Sequence, residues 1–223
     1  PFRAATLLVG IAISTSSLPA GTIVERLTLF DSQHATDFQP HPWNMNMAKR
    51  EGGTRARGTC LWFNTNWQAA PWAGVRFDGK NSPILKVTED WIDHGFIRLH
   101  INVTKDRYGN IGGGDQYQLK PITQPPLPKY QPLRSQHVDR GRGIDEQTST
   151  WQEVLVPLKY FTNIAPGYTI RGLSFQTRGQ IERTFSLDEI GYIRFDTIPK
   201  WMLEQLNEDV SQPWVEWPAY DEL

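Results

Sequence analysis

The side chains with the most chemistry to offer recur at every second position in several separate stretches of the chain. Trp62 and Asn64 form one such set and Arg76 and Asp78 another. Arg98, His100 and Asn102 follow, then Gln116, Gln118 and Lys120, and finally Ser174, Gln176 and Arg178. Gathered on one surface, they would make a polar face carrying planar amides, three arginines, an imidazole and an indole. The amides, carboxylates and guanidinium groups hold their donors and acceptors in fixed planes, which suits hydroxyl groups. The weakly polar face of a sugar ring packs on an indole. Arginine also grips carboxylates or sulfates through two parallel bonds. That chemistry points to a polysaccharide ligand. The candidate binding residues are Trp62, Asn64, Arg76, Arg98, His100, Gln116, Gln176 and Arg178. The arginines suit an acidic glycan, and a neutral glucan remains open. The plainer alternative is that a water-facing sheet surface is polar in any case. Thr, Lys, Glu and Ser are the usual occupants of such a surface, however, and this set favours Arg, Gln, Asn and His.

Other chemistries find little support. The chain has 223 residues, with 23 Lys and Arg against 24 Asp and Glu, so its net charge of −1 gives no electrostatic reason to expect nucleic acid. A single cysteine, Cys60, excludes an intrachain disulfide framework and a cysteine-based zinc cluster. The histidines are scattered, without the close paired spacing of a zinc site. Glu89, Asp90 and Asp93 cluster beside a turn, where acids are commonly solvated, and no strand carries the paired carboxylates of a glycosidase. Gly112–Gly114 leads into a strand rather than a helix, so it is not a phosphate-binding loop. No organic cofactor is implied.

The elements that must position the polar set are strands. Val24–Phe30, Gly58–Asn64, Ala73–Asp78, Gly95–Thr104, Asp115–Lys120, Trp151–Val156, Ile170–Thr177 and Phe185–Phe195 all read as extended. In Gly95–Thr104, Ile97, Leu99, Ile101 and Val103 point one way while Arg98, His100 and Asn102 point the other. Turn residues separate the strands, as in Asp78-Gly79-Lys80-Asn81 and Tyr108-Gly109-Asn110. Pro121–Thr150 holds five prolines and few apolar residues, and reads as a long loop. Pro199–Val210 reads as one short helix. Short strands without βαβ alternation predict an all-β fold, a two-sheet antiparallel β-sandwich of jelly-roll type with one short C-terminal helix.

The ends of the chain add to this. Ala4–Ile13 is a mostly apolar run preceded by Arg3 and followed by small residues, in the order of a secretory signal peptide with cleavage after Ala20; an ordinary strand is the alternative. The run is too short for a membrane span. The chain starts at Pro1 rather than Met, as a fragment or processed product would, and other domains of a longer chain are expected partners. The expected organisation is a signal segment over 1–20, the sandwich over 21–198, and a helix with a Trp- and Pro-rich tail over 199–223.

Two stretches carry a resemblance. The first is Leu27–Asp31, Leu-Thr-Leu-Phe-Asp, followed some thirty residues later by a Trp- and Phe-rich strand. The second is Trp151–Phe161, ending a strand in Val-Pro-Leu, followed by Ile170–Thr177 and by Phe185–Phe195 with its acid pair before Ile190. In order and spacing this resembles the jelly-roll carbohydrate-binding modules of secreted glycan-degrading proteins. The wider galactose-binding-like group shares the pattern, as does a complex-assembly chaperone family of similar fold. The resemblance implies Trp151 as a buried strand tryptophan and a structural calcium at Asp31 and Asp188. It implies polysaccharide binding without catalysis, at a secreted, periplasmic or cell-surface location. Two alternatives stay open. A jelly-roll polysaccharide lyase acting on a uronic-acid polymer would draw on Arg98, His100, Gln116 and Tyr117. A protein-interaction or assembly module would need none of them.

Overall fold

Period-two alternation becomes strand throughout the computed structural model, which describes residues 21–31, 38–54, 58–65, 72–79, 84–104, 117–127, 129–133, 137–138, 150–178 and 183–204. The signal-like segment 1–20, Gln116, Tyr108 and the tail beyond 204 lie outside the described residues, as does the side chain of Arg178.

The strands are β1 (Ile23–Phe30), β2 (Phe38–Trp43), β3 (Met45–Glu51), β4 (Thr59–Thr65), β5 (Trp72–Gly79) and β6 (Leu85–Lys86). A short helix α1 (Glu89–His94) precedes β7 (Gly95–Thr104). Then come β8 (Tyr117–Gln124), β9 (Gln131–Pro132), β10 (Gln152–Pro157), β11 (Thr169–Arg178) and β12 (Thr184–Phe195). They form two antiparallel sheets. Sheet A runs β10-β7-β12-β4-β3, with β1 also on β12; sheet B runs β2-β5-β11-β8-β9, with β6 also on β11. The protein is a two-sheet β-sandwich. The helix expected at the C-terminal end begins, over 200–204. No helix among the described residues is long and apolar enough to cross a membrane.

The core lies between the sheets. Ile97, Leu99, Ile101 and Val103 of β7 face Val75, Phe77, Leu173 and Phe175 of sheet B in one apolar cluster. Phe63 and Phe185 of sheet A stack at 5.2 Å, and Phe175 of sheet B meets Phe185 at 5.5 Å. Tyr192 on β12 donates its hydroxyl to the Gly172 carbonyl on β11 at 2.7 Å, a polar tie from one sheet to the other. Burial pushes that phenol well above its ordinary pKa. At one end of the sandwich Trp91 of α1 is buried, and the helix is capped by Thr88, whose side chain accepts from the Trp91 N–H.

Three sequence expectations need correction. The stretch His41–Met47, whose proline and asparagines read as loop in the sequence, forms parts of β2 and β3. Pro40 and Pro42 are tolerated because β2 is an edge strand, paired among the described residues only with β5. The Pro-rich segment from Pro121 is not all loop, since β8 continues through Pro121 to Gln124, β9 pairs with β8, and Val138 bridges to Val154. Trp151 is half-buried rather than core; it precedes β10 and donates its indole N–H to the Gly52 carbonyl at 3.1 Å.

The chain passes from sheet B to sheet A between β2 and β3 through Asn44 alone. That residue takes the left-handed conformation at φ 53°, and its side-chain amide donates to the Trp72 carbonyl at 3.0 Å.

Candidate functional site: two outer faces

Each strand's outward residues belong to the outer face of its own sheet, so a sandwich offers two such faces pointing in opposite directions. The polar set expected on one surface is divided between them. Trp62, Asn64, Arg98 and His100 stand on sheet A, while Arg76, Gln176 and the strand position of Arg178 stand on sheet B. For the described side chains alternation gave the outward direction; the assignment of strands to sheets separates the set.

On sheet A the expected groups are occupied by their own protein. The Arg50 guanidinium lies 3.7 Å from the centre of the Trp62 ring. Asn64 donates to Thr184 Oγ1 at 3.0 Å. Arg98 pairs with Glu153 at 2.7 Å and reaches Glu189 at 3.5 Å. His100 Nδ1 lies 3.5 Å from Glu189 Oε2 yet is buried without a hydrogen bond. Burial first, and the Arg98 charge second, hold this imidazole below its ordinary pKa against the pull of Glu153, Glu189 and Asp188. It is therefore neutral at pH 7, and the short approach to Glu189 is not an ion pair.

The turn after β3 folds back across this sheet. From edge strand β3, Gly52 reaches Trp151 at the head of β10, and Thr54 reaches Asp188 on β12. Asp188 is fully buried; its carboxylate accepts from the Thr54 N–H at 2.7 Å, the Thr54 hydroxyl at 2.9 Å and the Glu189 N–H at 2.7 Å. The next residue, Glu189, sits at φ 47° in the bulge that shifts the register between Asp188 and Gly191.

These contacts bear on the calcium implied at Asp31 and Asp188. Three donors converge on Asp188, an environment built for an anion that is already satisfied. Asp31 instead lines a cleft of about 90 Å³ with Glu189, beside the cations Arg26 and Arg98. No group of three or more His, Cys, Asp or Glu side chains among the described residues is placed to hold a metal.

Of the four groups a lyase would use, Gln116 lies outside the described residues, and the other three are not brought together. Tyr117 points into the core from sheet B and is fully buried, whereas Arg98 and His100 face outward from sheet A.

Sheet B presents a different outer face. Its strand register sets the outward residues in rows. His41 pairs with Arg76, Arg76 with Ser174 and Ser174 with Lys120. In the adjacent row Trp43 pairs with Gly74, Gly74 with Gln176 and Gln176 with Gln118. The Trp43 indole lies over Gly74, so that a Cβ built on the glycine would stand 2.2 Å from Trp43 Cζ2. The indole is half-buried and keeps part of its surface in water. Beside it, Gln176 donates to Gln118 at 2.7 Å, which aligns two side-chain amides. Arg76 pairs with Asp78 at 2.8 Å. An indole seated on a glycine, flanked by fixed amides and a guanidinium, is the arrangement sought in the sequence. The sequence reading missed Trp43 as its aromatic member. The available signal was the alternation Gln39, His41, Trp43 against Pro40 and Pro42.

No family model matches the chain, and no curated protein matches it in sequence. Solved structures do. A family 30 carbohydrate-binding module aligns at TM-score 0.51 and 13% identity, covering 82% of this chain and 96% of that one. The family 30 module of a cellulosomal cellulase of Clostridium thermocellum aligns at TM-score 0.49 and 13% identity, covering 78% and 100%. The family 11 module of another cellulosomal cellulase of Clostridium thermocellum aligns at TM-score 0.46 and 12% identity, covering 80% and 99%. At such identities the likeness is one of fold.

Proposed function

We propose that the protein binds a polysaccharide along the outer face of sheet B, without catalysis. The observation that carries this reading is the Trp43 indole seated over Gly74 beside the Gln176–Gln118 amide pair. The ring gives a sugar's C–H face something to pack on. The amides, with His41 and Arg76 in the neighbouring row, supply planar donors and acceptors for hydroxyls. The fold is shared with a family 30 carbohydrate-binding module, which supports the reading at the level of architecture. A secreted or cell-surface location accompanies it, as does an acidic glycan as the ligand class that the face's cations suit.

The test is affinity electrophoresis through gels containing alginate, pectin, carrageenan or β-glucan. Retardation in at least one gel, lost in Trp43→Ala, is the expected result. Migration unaffected by every glycan would overturn the proposal.

A further inference from the structure

Next to the Trp43 row, a cleft of about 200 Å³ opens between the sheet B face and the segment that follows β8. Arg76, Lys120, Ser174, Tyr130, Thr123 and Leu127 are among the residues that line it. The strand register explains the grouping. Ser174 on β11 pairs with Arg76 on one side and Lys120 on the other, so three polar residues stand in line across the face. Tyr130, just before β9, closes the line through a 2.6 Å hydroxyl contact with Ser174.

The charges in this cleft do not cancel. Arg76 is matched by Asp78 at 2.8 Å. Lys120 sits half-buried with its ammonium 4.5 Å from the centre of the Tyr130 ring, and no carboxylate lines the cleft among the described residues. Burial, and after it the charge of another cation, Arg76, lower its pKa. A ring face attracts an ammonium but does not neutralise it. A half-buried cation without a counter-ion is costly, and an incoming anion removes that cost. The hydroxyl pair adds a donor. Tyr130 and Ser174 share one hydrogen bond between two O–H groups, which leaves one proton for a further acceptor. Burial raises the Tyr130 pKa, so its phenol stays protonated.

We propose that this cleft is an anion subsite, in which Lys120 and the Tyr130–Ser174 hydroxyl pair receive the carboxylate or sulfate ester of an acidic sugar residue. The inference rests on the polysaccharide reading above and assigns that face its ligand class.

The experiment compares wild type with Lys120→Met and Lys120→Arg by affinity electrophoresis. The gels contain polygalacturonate for the carboxylate, carrageenan for the sulfate, or a neutral β-glucan. The expected result is that Lys120→Met weakens binding to one acidic polymer about tenfold or more, the scale of a lost charge-assisted hydrogen bond. Lys120→Arg should retain it, and any binding of the neutral glucan should be unchanged. The acidic gel that responds identifies the anion. A salt series on the wild type reads the same charge without a variant, since binding to the acidic polymer should fall as salt rises. Equal acidic retardation of wild type and Lys120→Met, or retardation in the neutral gel alone, overturns the anion subsite and leaves polysaccharide binding standing. No retardation of the wild type in any gel overturns both.

Discussion

Trp43 and Gly74 face each other across β2 and β5, and the glycine's missing side chain is the space the indole occupies. A Cβ at Gly74 would approach Trp43 Cζ2 to 2.2 Å and Cη2 to 2.3 Å, and the Phe175 carbonyl oxygen to 2.5 Å. Gly74→Ala should therefore displace the indole and strain the sheet, at about 1–3 kcal/mol. Trp43→Ala removes a cross-strand contact on an edge strand, worth about 1 kcal/mol or less. Both variants should lose glycan retardation, but only Gly74→Ala should show a large drop in urea midpoint. Retained glycan binding in a folded Trp43→Ala protein would show that the indole serves the sheet alone.

The two faces should separate in function. Gln176→Ala breaks the amide pair on sheet B and should weaken glycan binding severalfold with little loss of stability. Arg98→Met on sheet A removes the guanidinium that pairs with Glu153 and reaches Glu189, and should lower stability by about 1–2 kcal/mol while leaving glycan binding unchanged. Discounting for partial exposure keeps that cost at the low end. Side-by-side gels and urea melts of the two variants check this, and the reverse pattern would move the site to sheet A.

His100 should set part of the acid sensitivity. Its imidazole is held below the ordinary value of 6.5 in the folded protein, mainly by burial. The unfolded chain then binds the proton more readily than the native one, so stability is full above 6.5 and is lost as pH falls below it. The loss ends once pH has passed the lowered folded value. Within that window the slope reaches at most about 1.4 kcal/mol per pH unit. Urea unfolding between pH 7.5 and 5 should show this slope in wild type and a flatter one in His100→Gln. Identical slopes would assign the dependence to other groups.

Asp188 should be the most damaging single position on sheet A. Replacing it with Ala strands the Thr54 N–H, the Thr54 hydroxyl and the Glu189 N–H, for about 3 kcal/mol or more. Thr54→Val removes only the hydroxyl bond and should cost about 1–2 kcal/mol. Thermal melts measure both. Melts with added calcium test the metal expected here: a rise in wild type that Asp188→Ala abolishes would support it, and an unchanged wild type would count against it.

Much of the architecture could be read from alternation. Gly95–Thr104 and Ala73–Asp78 bury the residues their pattern assigns inward, because a period of two is a local property of the strand. β2 escaped notice because Pro40 and Pro42 resemble turn chemistry, and only its position at the sheet edge makes them acceptable. The site was half legible for a related reason. Arg98 and Arg76 look alike in sequence, since each faces outward from an amphipathic strand. Which sheet each strand joins depends on pairings between distant segments, as when β7 meets β12 and β5 meets β11. Trp151 was expected in the core from the resemblance alone, yet its indole N–H goes to the Gly52 carbonyl at the turn that crosses sheet A.

Asn44 gives the proposed platform a mechanical character. An outermost strand held by one neighbour is the easiest part of a sheet to peel away, and β2 is such a strand. It is followed, after that single residue, by β3, which is zipped along its length to β4 in the opposite layer. A long polymer tugging on Trp43 therefore pulls against both layers at once, and the load passes through one covalent stitch instead of resting on the β2–β5 ladder alone.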